Sequence, residues 1–167
     1  MATTATATAT AAEIQLVVFQ LEEETYGVEI NHVQEIIRMQ SITQIPRTPA
    51  FIEGVINLRG RIIPVIDLHK RFNLSRLEIT NNTRIMVVEL GQVTVGMIVD
   101  SVSEVLRLPV TSIEPPPPII TGIDVAYLQG VGKWNDRLII LLNLDRVLRE
   151  SEQRQLQQEI AAGVEKQ

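Results

Sequence analysis

An internal repeat constrains the fold of this chain more than any other feature of its sequence. Residues 27–39 align without gaps on residues 96–108, and glycine, valine, glutamate and arginine recur there at matched positions. Residues 54–68 recur as residues 130–144, and a proline-rich loop accounts for the longer offset of this second match. A series of short segments that occurs twice predicts two similar small β units, each closing its own sheet.

Residues 54–68 have the pattern of a β-hairpin with two apolar arms. Branched residues favour strands in both arms, and Gly60 at the tip can adopt the positive φ of a tight turn. Pro64 donates no backbone hydrogen bond, so the second arm is predicted to be an edge strand or to carry a bulge. Because both arms are almost continuously apolar, we expect both faces to be covered, or one face to await a partner.

Two arginines, Arg59 and Arg61, flank the glycine at the tip of this hairpin. Either they are solvated turn residues, or Arg59 is held in place to meet an acidic partner. The second copy of the hairpin has Asn135 and Asp136 at its tip instead. A turn that needs only solubility can be filled in many ways, so this asymmetry favours a functional role for Arg59.

The remaining segments alternate between short strands and polar turns. Strands are predicted over residues 14–21, 84–90 and 93–99, and in a hairpin across Asn135 and Asp136. Residues 73–82 are polar and are expected to connect two units that span roughly residues 14–82 and 83–148. Four consecutive prolines at 115–118 predict a stiff internal loop or a ligand for another protein.

The two ends of the chain are expected to lie outside the packed units. Residues 1–13 are low in sequence complexity and predict a disordered leader. Residues 149–167 predict a helical tail with a solvated end, because the apolar stripe that begins at Leu144 is sparse.

Composition excludes several classes of function. The chain has no cysteine, so disulfides, thiolate metal sites and cysteine nucleophiles are excluded. The formal net charge is −5 and no basic stripe stands out, so nucleic acid is not an expected partner. No apolar run is long enough to span a bilayer and the N-terminus has no secretory signal, so we expect a cytoplasmic protein without direct membrane insertion.

The sequence shows no catalytic motif. The two histidines, His32 and His69, lie in different segments, and no cluster of His, Asp and Glu has the spacing of a metal site. No nucleophile elbow or Ser-His-Asp pattern is present, and residues 130–133 lack the spacing of a phosphate-binding loop. These observations favour a binding or adaptor module over an enzyme, and we expect no cofactor and no metal.

Residues 48–68, with the sequence TPAFIEGVINLRGRIIPVIDL, resemble the CheW family of bacterial chemotaxis coupling proteins. The resemblance extends in order over about residues 14–148 and includes residues 26–28, 33–36, 95–106, 128–132 and 136–143. The Asn-Leu-Arg-Gly hairpin, preceded by Thr-Pro-Ala-Phe-Ile, is a specific signal rather than a short pattern expected by chance.

The resemblance implies both a fold and a function. The fold is mainly β, with two similar five-stranded β-barrel subdomains packed together, short helices and a C-terminal helix. The function is that of a non-enzymatic scaffold that joins the cytoplasmic tip of chemoreceptors to the regulatory domain of the histidine kinase CheA. Such a protein is cytoplasmic and is recruited to receptor arrays at the membrane.

The resemblance also implies which residues contact the two partners. The receptor-contact positions of the family fall here on Val33, Glu35, Arg59, Ile62, Arg84, Val102 and Val105. Most of them are apolar, which suits a helix laid into a groove, but Arg84 departs from a position that is commonly apolar. We expect Glu35 and Arg59 to pair, because they share the receptor site. Kinase contact is expected on an apolar edge strand at Ile63 and Val65.

Relatives of this family leave alternatives open. The same module occurs inside CheA and, joined to a receiver domain, in CheV proteins. This chain shows no kinase or receiver segment, which favours a free-standing coupler. A CheW-like adaptor of another chemosensory pathway, such as pilus or gliding control, is a second alternative. A small-molecule-binding or enzymatic barrel is a third.

Overall fold

The computed structural model describes residues 12–46, 48–90, 93–116 and 127–147. Its strands are β1 (Glu13–Leu21), β2 (Glu24–Glu29), β3 (Val33–Arg38), β4 (Ile52–Leu58), β5 (Arg61–Asp67), β6 (Arg84–Leu90), β7 (Val93–Val99), β8 (Ser101–Pro109), β9 (Ile113–Glu114), β10 (Leu128–Trp134) and β11 (Arg137–Leu142). The helices are α1 (Leu68–Arg71) and α2 (Leu144–Val147), and single 3-10 turns occupy Ile30–His32 and Val110–Ser112. The predicted fold class, mainly β with few short helices, is confirmed.

The ends of the chain fall largely outside this description. The predicted leader does so except for residues 12 and 13, the second of which already belongs to β1, and the predicted tail at 149–167 does so entirely. No helix within the described ranges has both the length and the apolar character needed to cross a membrane.

The strands form two sheets that each draw on both copies of the repeat. The first sheet has the order β8-β1-β2-β11-β10-β9, and the second has the order β3-β6-β7-β5-β4. The strands β3 and β8 leave the sheet of the preceding strand and pair in the other sheet, with β6 and β1 respectively. The prediction that each copy closes its own sheet is therefore wrong, and the boundary near residue 82 divides the repeats but not the sheets.

The repeat itself is evident in the strand order. Five strands of one sheet correspond in order to five of the other: β8, β1, β2, β11 and β10 match β3, β6, β7, β5 and β4. The third and fourth strands of each series form a parallel pair. A unit of about seventy residues would be only marginally stable alone. Exchange of strands removes that limit, because each sheet is completed by the other copy.

Apolar side chains of the described residues form three clusters that follow from this arrangement. One cluster lies within the first sheet and includes Leu16 and Val18, and one lies within the second and includes Ile63 and Val65. The third and largest joins side chains of both sheets, among them Phe19. Successive residues of a strand point to opposite faces, so β1 and β5 each place side chains in two clusters. One is the cluster within their own sheet, called here its inner cluster, and the other is the cluster shared by the two sheets. Both faces of these strands are covered, which explains their nearly continuous apolar sequences.

The hairpin β4–β5 has the tight turn predicted for it. Arg59 and Gly60 both have positive φ, 52° and 86°, as the central residues of a two-residue hairpin turn of the favoured handedness require. The prediction from Pro64 is wrong in one respect, since β5 lies between β7 and β4 and is not an edge strand. The proline is accommodated because β7 pairs with β5 only from Val65 onward. The bulge lies in the opposite strand, between Ile52 and Gly54.

Two glycines of this hairpin provide a test of how tightly the second sheet closes. Gly54 and Gly60 both have positive φ, but a Cβ at Gly54 would lie 2.1 Å from the carbonyl oxygen of Thr43, whereas one at Gly60 would meet nothing within 4 Å. Thr43 and Val55 exchange two backbone hydrogen bonds of 2.9 and 2.8 Å, so the chain after β3 is held against β4.

We expect Gly54→Ala to lower the free energy of unfolding by more than about 2 kcal/mol, because strain and a backbone clash add. Gly60→Ala is the matched control and should cost only about 1 kcal/mol, the strain alone. Urea unfolding of both variants measures the difference. Equal losses would show that the contact of Thr43 with β4 is not tight in solution.

Candidate protein-interaction surface

An exposed ion pair links the two edges of the second sheet. Glu35 lies on the edge strand β3, and Arg59 lies at the tip of the hairpin that includes the other edge strand, β4. The guanidinium of Arg59 donates two hydrogen bonds to the carboxylate, Nη1 to Oε1 at 3.2 Å and Nη2 to Oε2. The two side chains are 70% and 30% exposed for Arg59 and Glu35. The predicted pairing of Glu35 with Arg59 is confirmed.

Local backbone geometry positions the arginine. Arg59 adopts a left-handed conformation, and the side-chain oxygen of Asn57 accepts a hydrogen bond of 2.8 Å from the backbone N–H of Gly60. The hydrogen bond from Arg59 holds the pKa of the Glu35 carboxyl below its ordinary value. Both groups are therefore charged near neutral pH. Exposed pairs of this kind contribute little to folding stability, so the charges remain available to a partner.

The second copy of the repeat contains an equivalent pair. Glu104 occupies on β8 the position of Glu35 on β3, and it accepts a hydrogen bond of 3.1 Å from Arg137 at the start of β11. Arg137 also lies 5.4 Å from the centre of the Trp134 ring. Each hairpin thus supplies an arginine to the glutamate of its edge strand, but only the first copy places that arginine at the tip, because Asn135 and Asp136 occupy the tip of the second.

Four of the other predicted receptor contacts lie on β3, β5 and β8. Val33 and Val102 occupy equivalent positions of the repeat, are half-buried, and pack against the cluster shared by the two sheets. Val105 is 51% exposed on β8. Ile62 is half-buried on β5 and lies opposite Asn57 in the hairpin. These positions are thus divided between the two sheets, with Val102 and Val105 on the first and Val33 and Ile62 on the second, as are Glu35 and Arg59.

Arg84 does not join this group. It pairs with Arg38 at one end of the β3–β6 ladder, whereas Val33 pairs with Val88 at the other end. Its guanidinium donates hydrogen bonds of 2.8 and 2.9 Å to the carbonyl oxygens of Asn81 and Thr83. Arg84 therefore holds the turn before β6, three residues along that strand from Val87, the partner of Glu35.

The predicted kinase contacts Ile63 and Val65 lie in the interior. Their exposures are 1% and 0%, and both pack in the inner cluster of the second sheet. The prediction that they form an apolar outer edge is wrong. An unbroken apolar run does not show which residues face inward, and here the alternation places Ile62, rather than Ile63, towards solvent.

Sequence reasoning missed several exposed apolar residues. They are Ile36, Ile79, Val110 and Leu138. Ile36 could have been found from the alternation of β3, in which every second residue is exposed. Within the described part of the chain, no group of three or more His, Cys, Asp or Glu side chains could hold a metal ion.

Comparison with known proteins identifies the family. The model of the CheW-like domain matches residues 15–152, and the chain belongs to this family. It is 39% identical to the chemotaxis protein CheW of Klebsiella aerogenes over 83% of each chain, and 36% identical to the protein FrzA of Myxococcus xanthus over 81% of this chain and 86% of FrzA. The crystal structure of the scaffolding protein TtCheW from Thermoanaerobacter tengcongensis is 47% identical, with a TM-score of 0.76, over 83% of this chain and 90% of TtCheW.

The inward position of Ile63 can be tested against its neighbour. We expect Ile63→Ala to lower the free energy of unfolding by about 2–4 kcal/mol, because it leaves a cavity in a closed cluster. Ile62→Ala changes the same side chain on a half-buried face and should cost less than half as much. Chemical denaturation measures both, and equal losses would contradict the assigned orientation of β5.

Proposed function

We propose that this chain is a non-enzymatic chemotaxis scaffold that couples chemoreceptors to the histidine kinase CheA in signalling arrays. Membership of the CheW-like domain family carries the proposal. The names of the relatives support it, since one is a chemotaxis protein and another is a scaffolding protein. The protein acts in the cytoplasm and reaches the membrane through the receptors.

The proposed receptor surface consists of the Glu35–Arg59 pair and the apolar residues around it. It includes Val33 and Ile62 and, from the first sheet, Val102 and Val105. The charged pair supplies direction and the apolar side chains supply contact area, a combination that suits the amphipathic helical tip of a receptor. Arg84 is left out because it lies at the other end of the β3–β6 ladder and holds a turn.

The kinase surface must lie elsewhere on the molecule. Ile63 and Val65 are buried and cannot reach a partner while the sheet is folded. A scaffold that holds two proteins at once needs two surfaces that do not overlap. Coupling then depends on several modest interfaces acting together, and effective concentration replaces one tight contact. Receptor state would bias the kinase through contacts that differ between the two states.

A second candidate is an adaptor of another chemosensory pathway. The likeness to FrzA, at 36% identity over most of both chains, favours keeping this candidate. The physical role, joining receptors to a kinase, is the same in both cases. The partners differ, so binding to the cognate proteins decides between them.

A binding titration tests the proposal directly. The purified chain is mixed with the regulatory domain of the CheA from the same genome and, separately, with a receptor signalling fragment. Micromolar or tighter binding to both supports the chemotaxis coupler. Binding to neither, with binding to the kinase of another chemosensory system, would replace it by the second candidate.

We expect Arg59→Ala to weaken binding of the receptor fragment by about tenfold or more while the fold remains intact, as removal of a central charged anchor does. The dissociation constant is measured by calorimetry, and the thermal unfolding curve verifies the fold. Arg137→Ala is the matched control, because it removes the equivalent pair of the second copy. The assignment of Arg59 fails if receptor affinity is unchanged, or if both variants lose affinity equally.

A further inference from the structure

A buried histidine lies at the junction of the two sheets. His69 is the second residue of α1, and its side chain is only 4% exposed. Its ring nitrogen Nδ1 lies 2.8 Å from the carbonyl oxygen of Ser75, and Nε2 lies 2.8 Å from Oδ1 of Asp100. The imidazole is thus held at both nitrogens by groups from two other segments.

The chemistry of these two contacts determines the charge of the ring. A backbone carbonyl and a carboxylate are both hydrogen-bond acceptors, and a neutral imidazole has only one N–H to donate. Only the imidazolium donates to Ser75 and Asp100 at the same time. Burial is the largest single effect and lowers the pKa of His69. The hydrogen bonds to Ser75 and Asp100, together with the charges of Asp100 and Asp67, outweigh it and raise that pKa above its ordinary value.

The histidine belongs to a network that crosses between the sheets. Asp100 connects β7 of the second sheet to β8 of the first, and its Oδ2 accepts a hydrogen bond of 2.7 Å from the backbone N–H of Glu22 in the β1–β2 turn. The hydroxyl of Ser75 donates to the Glu22 carboxylate at 2.5 Å. The imidazole therefore ties α1 and the loop after it to the crossover at Asp100 and, through Asp100, to the β1–β2 turn.

The charges that face the imidazole favour its cationic form. Asp67 accepts a hydrogen bond of 2.9 Å from the backbone N–H of His69, and Asp100 contacts the ring. Glu22, Arg76 and Glu78 line the same groove as His69. Among these groups, the charges of Asp100 and Asp67 act on the imidazole, and both raise its pKa.

We propose that His69 and Asp100 form a pH-sensitive latch that fixes the start of β8 against the second sheet. The strand β8 carries Val102 and Val105 of the proposed receptor surface, whereas Glu35 and Arg59 belong to the second sheet. The latch thereby sets how the two parts of that surface meet. This last step rests on the proposed function, but the latch itself does not.

The sign of the pH effect follows from the raised pKa. In the unfolded chain His69 titrates near its ordinary value of about 6.5. Below that pH both states are protonated and the stabilisation is fully present. It is lost as the pH rises through the folded pKa, and the unfolding equilibrium constant increases by about tenfold for each unit that separates the two pKa values.

The variant Asp100→Asn separates the charge from the contacts. An asparagine can accept from the Glu22 N–H through Oδ1 and donate through Nδ2 to Nε2 of a neutral His69. Both hydrogen bonds of residue 100 persist, while the reason for the imidazolium is removed. We therefore expect the variant to fold and to lose most of the pH dependence above pH 6.5.

Two measurements on the full chain test the latch. Imidazole NMR in a His32→Gln background, where His69 is the only histidine, should give a titration midpoint above about 6.5 that falls in Asp100→Asn. Urea unfolding as a function of pH should show the loss of stability in the wild type and not in the variant. A wild-type midpoint at or below the ordinary value, or the same pH dependence in both proteins, would overturn the proposal.

Receptor binding distinguishes the latch from the proposed function. The affinity of the wild type for the receptor fragment, divided by that of Asp100→Asn at the same pH, should fall across the titration of His69. Taking this ratio cancels any titration of the receptor itself. A relative affinity that does not change across this titration would refute the claim that the latch controls the receptor surface. A titration midpoint of His69 above its ordinary value, with no receptor binding at any pH, supports the latch and refutes the proposed function.

Discussion

The apolar cluster between the two sheets is the interaction on which the rest of the structure depends. Phe19 and Tyr26 stack there with their ring centres 5.9 Å apart, and side chains of β6 and β7 pack against the same cluster from the second sheet. The strands that build it also fill the inner clusters with alternate residues. Each sheet therefore depends on the other to cover one of its faces, and we expect the described strands to unfold as one cooperative unit.

This constraint also explains how a scaffold can hold a composite surface in place. The proposed receptor surface draws Glu35 from β3 in one sheet and Val105 from β8 in the other. These two strands are the ones that cross between the sheets. Their positions are set by the shared cluster and by short crossovers, at the 3-10 turn Ile30–His32 and at Asp100. A change at a crossover can thus reach the surface without touching any surface residue.

Much of the fold could be predicted from the sequence, because the repeat and the hairpin turns are local patterns. Strand pairing could not, since the same repeat fits separate units and exchanged strands equally well. Orientation within β5 failed for a related reason. When both faces of a strand are buried, as for Ile63 and Ile66, the alternation that would reveal the inner face disappears. The pairing of Glu35 with Arg59 was predictable only through the family resemblance, because it joins positions on separate strands.

The recurrence of the ion pair separates its architectural role from its proposed binding role. Each copy of the repeat ties its edge strand to its hairpin through a glutamate and an arginine, so the tie itself is part of the fold. The location of the arginine differs. The second copy places Asn135 in the left-handed position at the tip, where asparagine is favoured, and takes its arginine from the following strand. The first copy instead places Arg59 in that unfavourable position, 70% exposed. The second copy makes the same tie without an arginine in the left-handed tip position. This comparison favours recognition of a partner as the reason why Arg59 occupies that position.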